Sequence, residues 1–281
     1  MKKKKLKYFL IIFICLCVGF VIAGMYNGLC LKEYDVDTQK MDKQVRIALI
    51  TDLHSCSYDN ELIQMVNEQN PDIVMLVGDI FDDILSDENT ISFLDGIANK
   101  YPCYYVTGNH EYWSGSSAFE EKMNVLTQHG VVWLSAEMDI VTVNGESINI
   151  CGVDDPDSTM IASTNKYQDT LSFDEQIEKV RSFANNGNYT ILLSHRPEYI
   201  DKYVVAGFDL VLCGHAHGGQ WRIPGLINGL YAPDQGWFPK YAGGLYIKEN
   251  TTMIVSRGLA KESTRIPRFY NRPEVVIINI H

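Results

Sequence analysis

Short apolar runs alternate with amphipathic segments along most of the chain. The runs RIALIT at 46–51 and DIVMLVGD at 72–79 are short and rich in branched residues, as buried strands are. Each run is followed by apolar residues at helical spacing, so the pattern predicts strand, helix, strand, helix. The spaced positions are Leu62, Met65 and Val66 after the first run and Ile91, Leu94 and Ile97 after the second.

Two further helices are predicted from their start signals. Ser117 stands three residues before Glu120, and Ser172 three residues before Glu175, each ahead of apolar residues at helical spacing. In such a capping box the serine hydroxyl and the acidic side chain satisfy the first free N–H groups of a helix. We therefore expect helices to begin at both serines.

A β-hairpin and a strand-rich end complete the pattern. Asn144-Gly145 supplies the positive φ angles of a tight turn between two strand-like runs. After Gly219 the runs LYIK, TMIVS and EVVIINI predict strands with few helices between them. The combination predicts an α/β fold in which sheets pack on each other with helices outside, in one domain over residues 45–281.

The first 28 residues have a different character. Five lysines precede an uncharged stretch, and residues 8–25 form an 18-residue, nearly unbroken apolar run. As a helix this run is about 27 Å long, close to the thickness of a bilayer core. The pattern predicts a cytoplasmic basic tail at 1–7, a transmembrane signal-anchor at 8–28 and a polar linker at 29–44, with the domain outside the cytoplasm. The alternative is a cleaved signal peptide, since Val21 and Ala23 form a small-residue cleavage pattern.

The net charge of the chain limits the kinds of molecule that it can bind. The formal net charge is −11, but residues 1–32 hold six lysines and no acid, which leaves 18 basic and 35 acidic residues beyond them. A surface this acidic repels polyanions, so we expect no nucleic-acid partner. We also expect a monomer.

The seven cysteines form no CxxC element, and those within apolar runs are expected to be buried as small hydrophobic side chains.

Polar side chains that can bind a metal ion follow five of the apolar runs. In α/β folds the loops that leave the carboxyl ends of strands converge on one crevice, so we expect these side chains to meet there. Carboxylate, amide and imidazole groups together suit divalent Mn, Fe or Zn. One histidine alone indicates little, whereas five strand ends with the same chemistry predict a metal site. The motifs are Asp52-x-His54, Gly78-Asp79, Gly108-Asn109-His110-Glu111, His195 and Gly214-His215-x-His217.

The order of these motifs resembles the calcineurin-like metallophosphoesterase family over nearly all of residues 45–281. The segments HAHGGQWRIP and SRGLAKESTRIPRFYNRPE resemble the bacterial membrane-associated branch of that family, some members of which hydrolyse the pyrophosphate of UDP-2,3-diacylglucosamine. One departure is Ala260, where that branch more often has glycine. Because Ala260 lies outside the metal motifs, the departure concerns a loop conformation and not the chemistry.

The resemblance implies a role for each motif residue. It implies two divalent ions, with manganese favoured over iron and zinc, a bridging carboxylate between them, and a bridging hydroxide as nucleophile. His110 would donate a proton to the leaving oxygen, and Asp82 would orient His110, unless Asp82 is only a solvated loop acid beside Asp83. The implied ligands are Asp52, His54 and His217 for one metal, Asn109, His195 and His215 for the other, and Asp79 as the bridge.

The expected function is hydrolysis of a phosphodiester or a pyrophosphate, including a lipid-linked one. The alternatives are a phosphomonoesterase or phosphoprotein phosphatase, and a membrane protein that binds metal or phosphate without turnover. Tyr112, Trp113 and Trp221 flank the motifs and are candidates for the pocket wall or for packing, whereas His129 is expected to cap a helix. Six arginines are candidates either for a fork that binds a phosphate or for a surface or structural role: Arg196, Arg222, Arg257, Arg265, Arg268 and Arg272.

Overall fold

The apolar runs form strands and the amphipathic segments form helices. The computed structural model describes residues 2–161, 170–261 and 266–281. The helices in these residues are α1 (Lys2–Gly24), α2 (Glu61–Gln69), α3 (Glu88–Ile97), α4 (Asn109–Trp113), α5 (Ser116–Gln128), α6 (Phe173–Phe183) and α7 (Ile200–Ala206). The strands are β1 (Cys30–Val36), β2 (Val45–Ile50), β3 (Ile73–Val77), β4 (Cys103–Val106), β5 (Val132–Trp133), β6 (Glu137–Val143), β7 (Glu146–Gly152), β8 (Tyr189–Leu193), β9 (Leu210–Cys213), β10 (Tyr231–Ala232), β11 (Gly236–Trp237), β12 (Gly244–Lys248), β13 (Thr251–Val255) and β14 (Glu274–Ile280).

Two six-stranded sheets carry the fold. The first has the order β1-β14-β2-β3-β4-β5 and the second the order β12-β13-β9-β8-β7-β6, while β10 and β11 form a separate pair. Strands β2, β3 and β4 run parallel, and so do β7, β8 and β9. The carboxyl ends of β2, β3 and β4 therefore lie along one edge of their sheet, as those of β8 and β9 do in the other.

The core has three apolar layers because the central strands are buried on both faces. In β2, Ile47 and Leu49 pack between the two sheets, whereas Ala48 and Ile50 face helices α2, α3 and α5. A third layer lies between the second sheet and helices α6 and α7. Burial on both faces explains why these strands read as unbroken apolar runs. The predicted α/β sandwich with helices outside is confirmed.

The polar linker predicted for residues 29–44 is wrong for residues 30–36. These residues form β1, an edge strand paired in parallel with β14 from Cys30 opposite Glu274 to Val36 opposite Ile280. The guanidinium of Arg46 also donates to Glu33, at 3.1 Å. Most of the strand's side chains face solvent, so the backbone pairing that builds it leaves no apolar period in the sequence.

Helix α1 ends earlier than predicted, so residues 25–28 leave the helix. The carbonyl oxygen of Gly24 accepts a hydrogen bond from the backbone N–H of Tyr270, at 2.7 Å. A Cβ on Gly24 would come within 2.2 Å of the Phe269 ring, which shows how closely the helix end packs on the domain. Residues 4–24 are long and apolar enough to cross a membrane, and a signal sequence has the same features.

The local start and turn signals had mixed outcomes. Ser172 forms the predicted capping box, since its hydroxyl accepts from the N–H of Glu175. Helix α5 begins one residue before Ser117 and is capped by Gly115, whose φ of 83° only glycine adopts easily, so the predicted box there is wrong. The predicted hairpin is confirmed, with positive φ at Asn144 and Gly145 between β6 and β7.

Candidate dinuclear metal site

Five strand ends bring all seven predicted ligands to one place. Each ligand lies within four residues of the carboxyl end of its strand, and each is buried. The first sheet and the second sheet both contribute, so the site lies where the two sheets meet. The ligands are Asp52 and His54 after β2, Asp79 after β3, Asn109 after β4, His195 after β8, and His215 and His217 after β9.

The backbone is bent at most of these ligands. Positive φ angles are uncommon for residues other than glycine and cluster at functional sites, where the surrounding structure holds them. This bend is what lets two side chains of an Asp-x-His or His-x-His motif point to the same side. The positive angles are 50° at Asp52, 47° at His54, 51° at Asp79, 66° at His215 and 46° at His217.

Six of the side chains form two groups, and one oxygen of the second group lies beside the first. Within each group the candidate ligand atoms lie within 4.8 Å of one another. Asp79 Oδ2 is 3.5 Å from His54 Nε2 in the first group and 3.1 Å from His195 Nε2 in the second. The carboxylate of Asp79 therefore occupies the position of a bridge. The groups are Asp52 with His54 and His217, and Asp79 with His195 and His215.

Every predicted ligand has one buried polar atom without a hydrogen-bond partner. An unpaired polar atom in a protein interior costs free energy, so a cluster of them indicates a bound group that satisfies them. Seven unpaired nitrogen and oxygen atoms are a donor set that two divalent cations fit. The atoms are Asp52 Oδ2, His54 Nε2, Asp79 Oδ2, Asn109 Oδ1, His195 Nε2, His215 Nδ1 and His217 Nδ1.

The opposite ring nitrogens of His54 and His195 are held by hydrogen bonds. His54 Nδ1 donates to Asp82 Oδ2 at 3.0 Å, and His195 Nδ1 donates to the carbonyl of Val77 at 2.9 Å. Burial raises the pKa of Asp82, but the hydrogen bonds from His54 and from the backbone N–H groups of Leu85 and Ile84 together outweigh burial and lower this pKa to about 2. Each bond fixes the tautomer that leaves Nε2 free to bind a cation.

His215 is oriented by a carboxylate on the rim of the site. Its Nε2 donates to Asp234 Oδ2 at 2.9 Å, which leaves Nδ1 for the cation. One Nη of Arg196 donates to Asp234. Its Nε and its other Nη donate to the carboxylate of Asp155, at 2.5 and 2.9 Å. Neither acid was singled out from the sequence, because nothing in its local pattern distinguishes it from a surface acid.

Glu111 ties two ligand loops together. Its carboxylate accepts four backbone N–H bonds, from Asp79, Ile80, Phe81 and Gly108, at 2.8–3.1 Å. Burial, and then the charge of Asp79, raise the pKa of Glu111 above its usual value. The sequence shows Glu111 within the Gly-Asn-His-Glu motif but gave it no role. The structure places it behind the ligands, where it joins the loop after β3 to the loop after β4.

Residues 45–219 match the family of calcineurin-like phosphoesterases. The chain belongs to this family. Over 279 residues it is 30% identical to an uncharacterized metallophosphoesterase of Campylobacter jejuni, covering 95% of this chain and 68% of that protein. It is 28% identical to a transmembrane protein with metallophosphoesterase domain of Bos taurus, covering 77% of this chain and 48% of that one. The chain thus spans about half to two thirds of these relatives.

Solved structures show the same fold. A 5'-nucleotidase precursor from Thermus thermophilus superposes with a TM-score of 0.52 at 16% identity, over 78% of this chain and half of the other. Members of the family use dinuclear sites of divalent metals, and the two ligand groups fit that use. The protein is therefore a phosphoester hydrolase of the metallophosphoesterase type.

His110 lies beside the bridge of this phosphoesterase, but its partner differs from the predicted one. Its backbone N–H donates to Asp79 Oδ1 at 2.9 Å, and its ring Nδ1 lies 2.6 Å from Asp83 Oδ1. Asp82, predicted to orient His110, is 3.7 Å from the same nitrogen and instead bonds to His54. The two acids are adjacent in sequence, so only the loop conformation decides which one faces His110.

A cleft of about 680 Å³ opens over the ligands. Trp113 lines it as the sequence suggested, whereas Tyr112 is buried and stacks on Phe119. Of the predicted arginines, Arg196 lines the cleft, and Arg265 lies outside the described residues. The cleft also carries Tyr199, Tyr231, Pro233 and Ile266, so its outer wall is largely apolar while its floor is polar.

His129 and the domain cysteines have the structural roles expected of them. His129 ends helix α5, and its ring bonds to the carbonyl of Val125 at 2.7 Å. Four cysteines, Cys56, Cys103, Cys151 and Cys213, are buried thiols that are not joined in disulfides. None of these five residues lines the cleft.

Proposed function

We propose that this phosphoesterase cleaves a phosphodiester or pyrophosphate bond of a lipid-linked substrate, with a dinuclear metal site and His110 as the proton donor. The observation that carries the proposal is the set of seven buried, unpartnered ligand atoms around the Asp79 carboxylate. Four of the residues that carry these atoms line a cleft that reaches solvent: Asp79, Asn109, His215 and His217. A site with this donor set and an open face is built to bind cations and a substrate together.

The ligand roles follow the two groups. Asp52, His54 and His217 would hold one cation, Asn109, His195 and His215 would hold the other, and Asp79 would contribute to both. Two bound divalent cations supply Lewis acidity for a water nucleophile and neutralise charge on the phosphoryl oxygens. Mixed oxygen and nitrogen ligation favours no single ion strongly, and we propose manganese as the physiological one.

His110 is placed to protonate the leaving oxygen. Its ring lines the cleft, its Nδ1 is held by the Asp83 carboxylate, and its edge packs against His54 with ring centroids 4.3 Å apart. This arrangement directs Nε2 towards the substrate side, because the other nitrogen is occupied. We assign Asp83 the orienting role in place of Asp82, and assign Asp82 to the ring of His54.

The lipid-linked substrate and the membrane location are supported together. Helix α1 exposes its apolar side chains over its whole length, and a relative of the chain is named as a transmembrane protein. We propose that α1 anchors the protein with the domain outside the cytoplasm. Fractionation of cells tests this: the full-length chain in the membrane, digested by protease added outside, supports the anchor, whereas a shortened soluble chain supports signal cleavage.

The chemistry is tested with bis-p-nitrophenyl phosphate in the presence of Mn²⁺ and by metal analysis. We expect His110→Ala to keep two metals and lose about 10²–10⁴-fold in turnover, the usual worth of a general acid. Asp79→Ala should lose both metal and turnover. His129→Ala is the matched control, since this histidine caps a helix away from the cleft.

Three outcomes would change the proposal. Loss of metal from His110→Ala would make His110 a ligand. Turnover of p-nitrophenyl phosphate in preference to the diester would favour a phosphomonoesterase. Absence of turnover with two metals bound, for any divalent metal and any phosphoester supplied, would favour a protein that binds metal or phosphate without catalysis.

A further inference from the structure

A group of large apolar side chains is exposed beside the mouth of the cleft. Exposed patches of this kind mark surfaces that bind another protein or a membrane. Leu226 is 78% exposed, Trp237 69% and Phe238 65%, and Trp221 and Tyr231 belong to the same stretch of chain, residues 221–238. We call this surface the apolar rim, and its members are Trp221, Leu226, Tyr231, Trp237 and Phe238.

The apolar rim is the outer edge of the cleft itself. Tyr231 lines the cleft, and its ring contacts Trp237 with centroids 5.6 Å apart. Gln220 also lines the cleft, and the next residue is Trp221. The N–H of Phe238 donates to the carbonyl of Leu230, which precedes Tyr231. Whatever covers the rim therefore lies at the entrance to the metal site.

The apolar rim is also continuous with helix α1. The ring of Trp221 lies 5.5 Å from that of Phe269, and Phe269 lies 5.7 Å from Phe20 of the helix. Tyr270 contacts Phe20 as well, and its hydroxyl donates to the Phe20 carbonyl at 2.9 Å. An unbroken apolar surface thus runs from the helix, through Phe269, to the edge of the cleft.

The sequence segments that contain the rim or follow β13 differ in charge from the rest of the domain. Segments 217–243 and 257–273 contain seven basic and two acidic residues, whereas the rest of 33–281 contains 11 basic and 33 acidic residues. Among the described basic residues of these segments Lys240 is exposed, whereas Arg268 is buried and Arg257 is paired with Glu274. An exposed basic side chain beside an apolar surface favours the anionic headgroups of a bilayer. Trp and Tyr side chains at the end of an apolar helix are typical of the membrane interface.

We infer that the apolar rim docks into the headgroup region of the bilayer that holds helix α1, so that the cleft opens at the membrane surface. The inference rests on the proposed anchoring by α1. A bilayer is the occupant that the continuity with α1 and the local positive charge both favour, since a soluble protein partner requires neither. Amphipathic surfaces bind bilayers through buried apolar area plus attraction to anionic lipids.

The first experiment measures contact between the rim and lipid. The full chain is placed in nanodiscs of phosphatidylcholine and phosphatidylglycerol, with and without brominated acyl chains that quench tryptophan fluorescence. We expect the brominated chains to quench the fluorescence of the wild type. In Trp237→Phe the quenched part of the fluorescence should be at least about twofold smaller, because Trp237 is in the lipid interface. Trp133→Phe is the control, since Trp133 bonds to Asp154 within the domain.

The second experiment tests the rim as a unit. The double variant Leu226→Ser/Phe238→Ser keeps Trp237, and the quenching of Trp237 by brominated lipid should fall in it. The double variant Val205→Ser/Ile247→Ser should leave this quenching unchanged. The control pair is matched in exposure, at 75% and 72%, and neither residue belongs to the rim. Both variants should retain turnover of the soluble bis-p-nitrophenyl phosphate, which shows that they are folded.

The results of these two experiments distinguish failure of the docking inference from failure of the proposed anchor or of the proposed chemistry. Equal quenching in the rim pair and the control pair, or no quenching assigned to Trp237, would overturn the docking inference and leave the rim to a protein partner. Failure of the wild-type chain to stay in the nanodiscs would refute the anchor and the docking with it. Failure to hydrolyse bis-p-nitrophenyl phosphate would count against the chemistry and leave the docking result intact.

Discussion

Single carboxylates outside the ligand set decide which ring nitrogen each histidine presents to a cation. Asp82 does this for His54 and Asp234 does it for His215. Partners of this kind usually affect metal affinity by about 10–100-fold when they are removed. Their spacing from the ligands along the chain is irregular, which is why the motifs revealed the ligands and not their partners.

Removing Asp234 should weaken one metal position. In Asp234→Ala the ring of His215 loses its acceptor, and we expect metal affinity at that position to fall about 10–100-fold. Titration with Mn²⁺, followed by calorimetry, checks this against Asp201→Ala, an exposed acid paired with Lys248. Equal affinity in the two variants would show that Asp234 does not orient the ring.

Gly258 marks a place where the backbone must approach a ligand. Its φ is 70°, and a Cβ there would lie 2.6 Å from the Cβ of Asp52. We expect Gly258→Ala to cost about 1–3 kcal/mol from overpacking and to reduce metal content, because Asp52 must move. Gly187→Ala is the control: its φ is 85°, but it has open space around it. Metal content should fall only in the first variant, as measured by metal analysis.

At the scale of single residues, the sequence predicted the seven candidate ligands that lie together in the structure, because each follows the end of a buried strand. It did not distinguish Asp83 from Asp82 as the partner of His110, since both acids share one loop. Glu111 was visible in a motif, but its role requires two loops to lie side by side. The functional role of each residue stays a prediction until the variants are measured.

Among the elements, the loops after β3 and β4 depend on one buried carboxylate. Glu111→Gln keeps the shape of the side chain but turns an acceptor for two N–H groups into a donor. We expect a loss of about 1–3 kcal/mol in the free energy of unfolding, the cost of leaving buried N–H groups unpaired. Denaturant titration measures the change, and a lower metal content should accompany it because Asp79 and Asn109 lie on these loops.

The control for this variant is Glu88→Gln, which changes an exposed acid in the first turn of α3. It should leave both stability and metal content within experimental error of the wild type. A Glu111→Gln protein with unchanged stability would show that the loops hold their conformation without the carboxylate.

Elements with a buried face were predicted well, and elements without one were not. Helices α2 and α3 and strands β2 and β3 follow apolar periods that burial imposes. Strand β1 is held by backbone pairing with β14, some 240 residues away, and its polar edge has no apolar period. Helix α5 is capped by Gly115 and not by Ser117, and the cap has a φ angle that serine does not adopt easily.

For the whole molecule, the candidate metal site lies where the two sheets meet. Ligands after β2, β3 and β4 belong to the first sheet and those after β8 and β9 to the second. Cations shared by both should therefore stabilise the packing of the sheets. The sequence predicted this sandwich from its strand runs, but which strands are neighbours depends on long-range pairing that composition does not encode.

Chelation should lower the unfolding temperature. A ligand at 100 times its dissociation constant adds about 2.7 kcal/mol to the free energy of unfolding, so its removal lowers stability by that amount. Scanning calorimetry with and without EDTA measures the shift. The Asp79→Ala protein, which lacks the shared ligand, should respond little to EDTA; an equal shift in both proteins would show that the metal acts elsewhere.

The short connection between α1 and β1 has a consequence for encounter kinetics. The helix ends at Gly24 and the strand begins at Cys30, so five residues join them. Fully extended, they span at most about 18 Å, so an anchored domain stays within that distance of the lipid surface. Its collisions with lipid-borne molecules then occur by lateral diffusion in two dimensions, and the rate follows the surface density of substrate and not its bulk concentration.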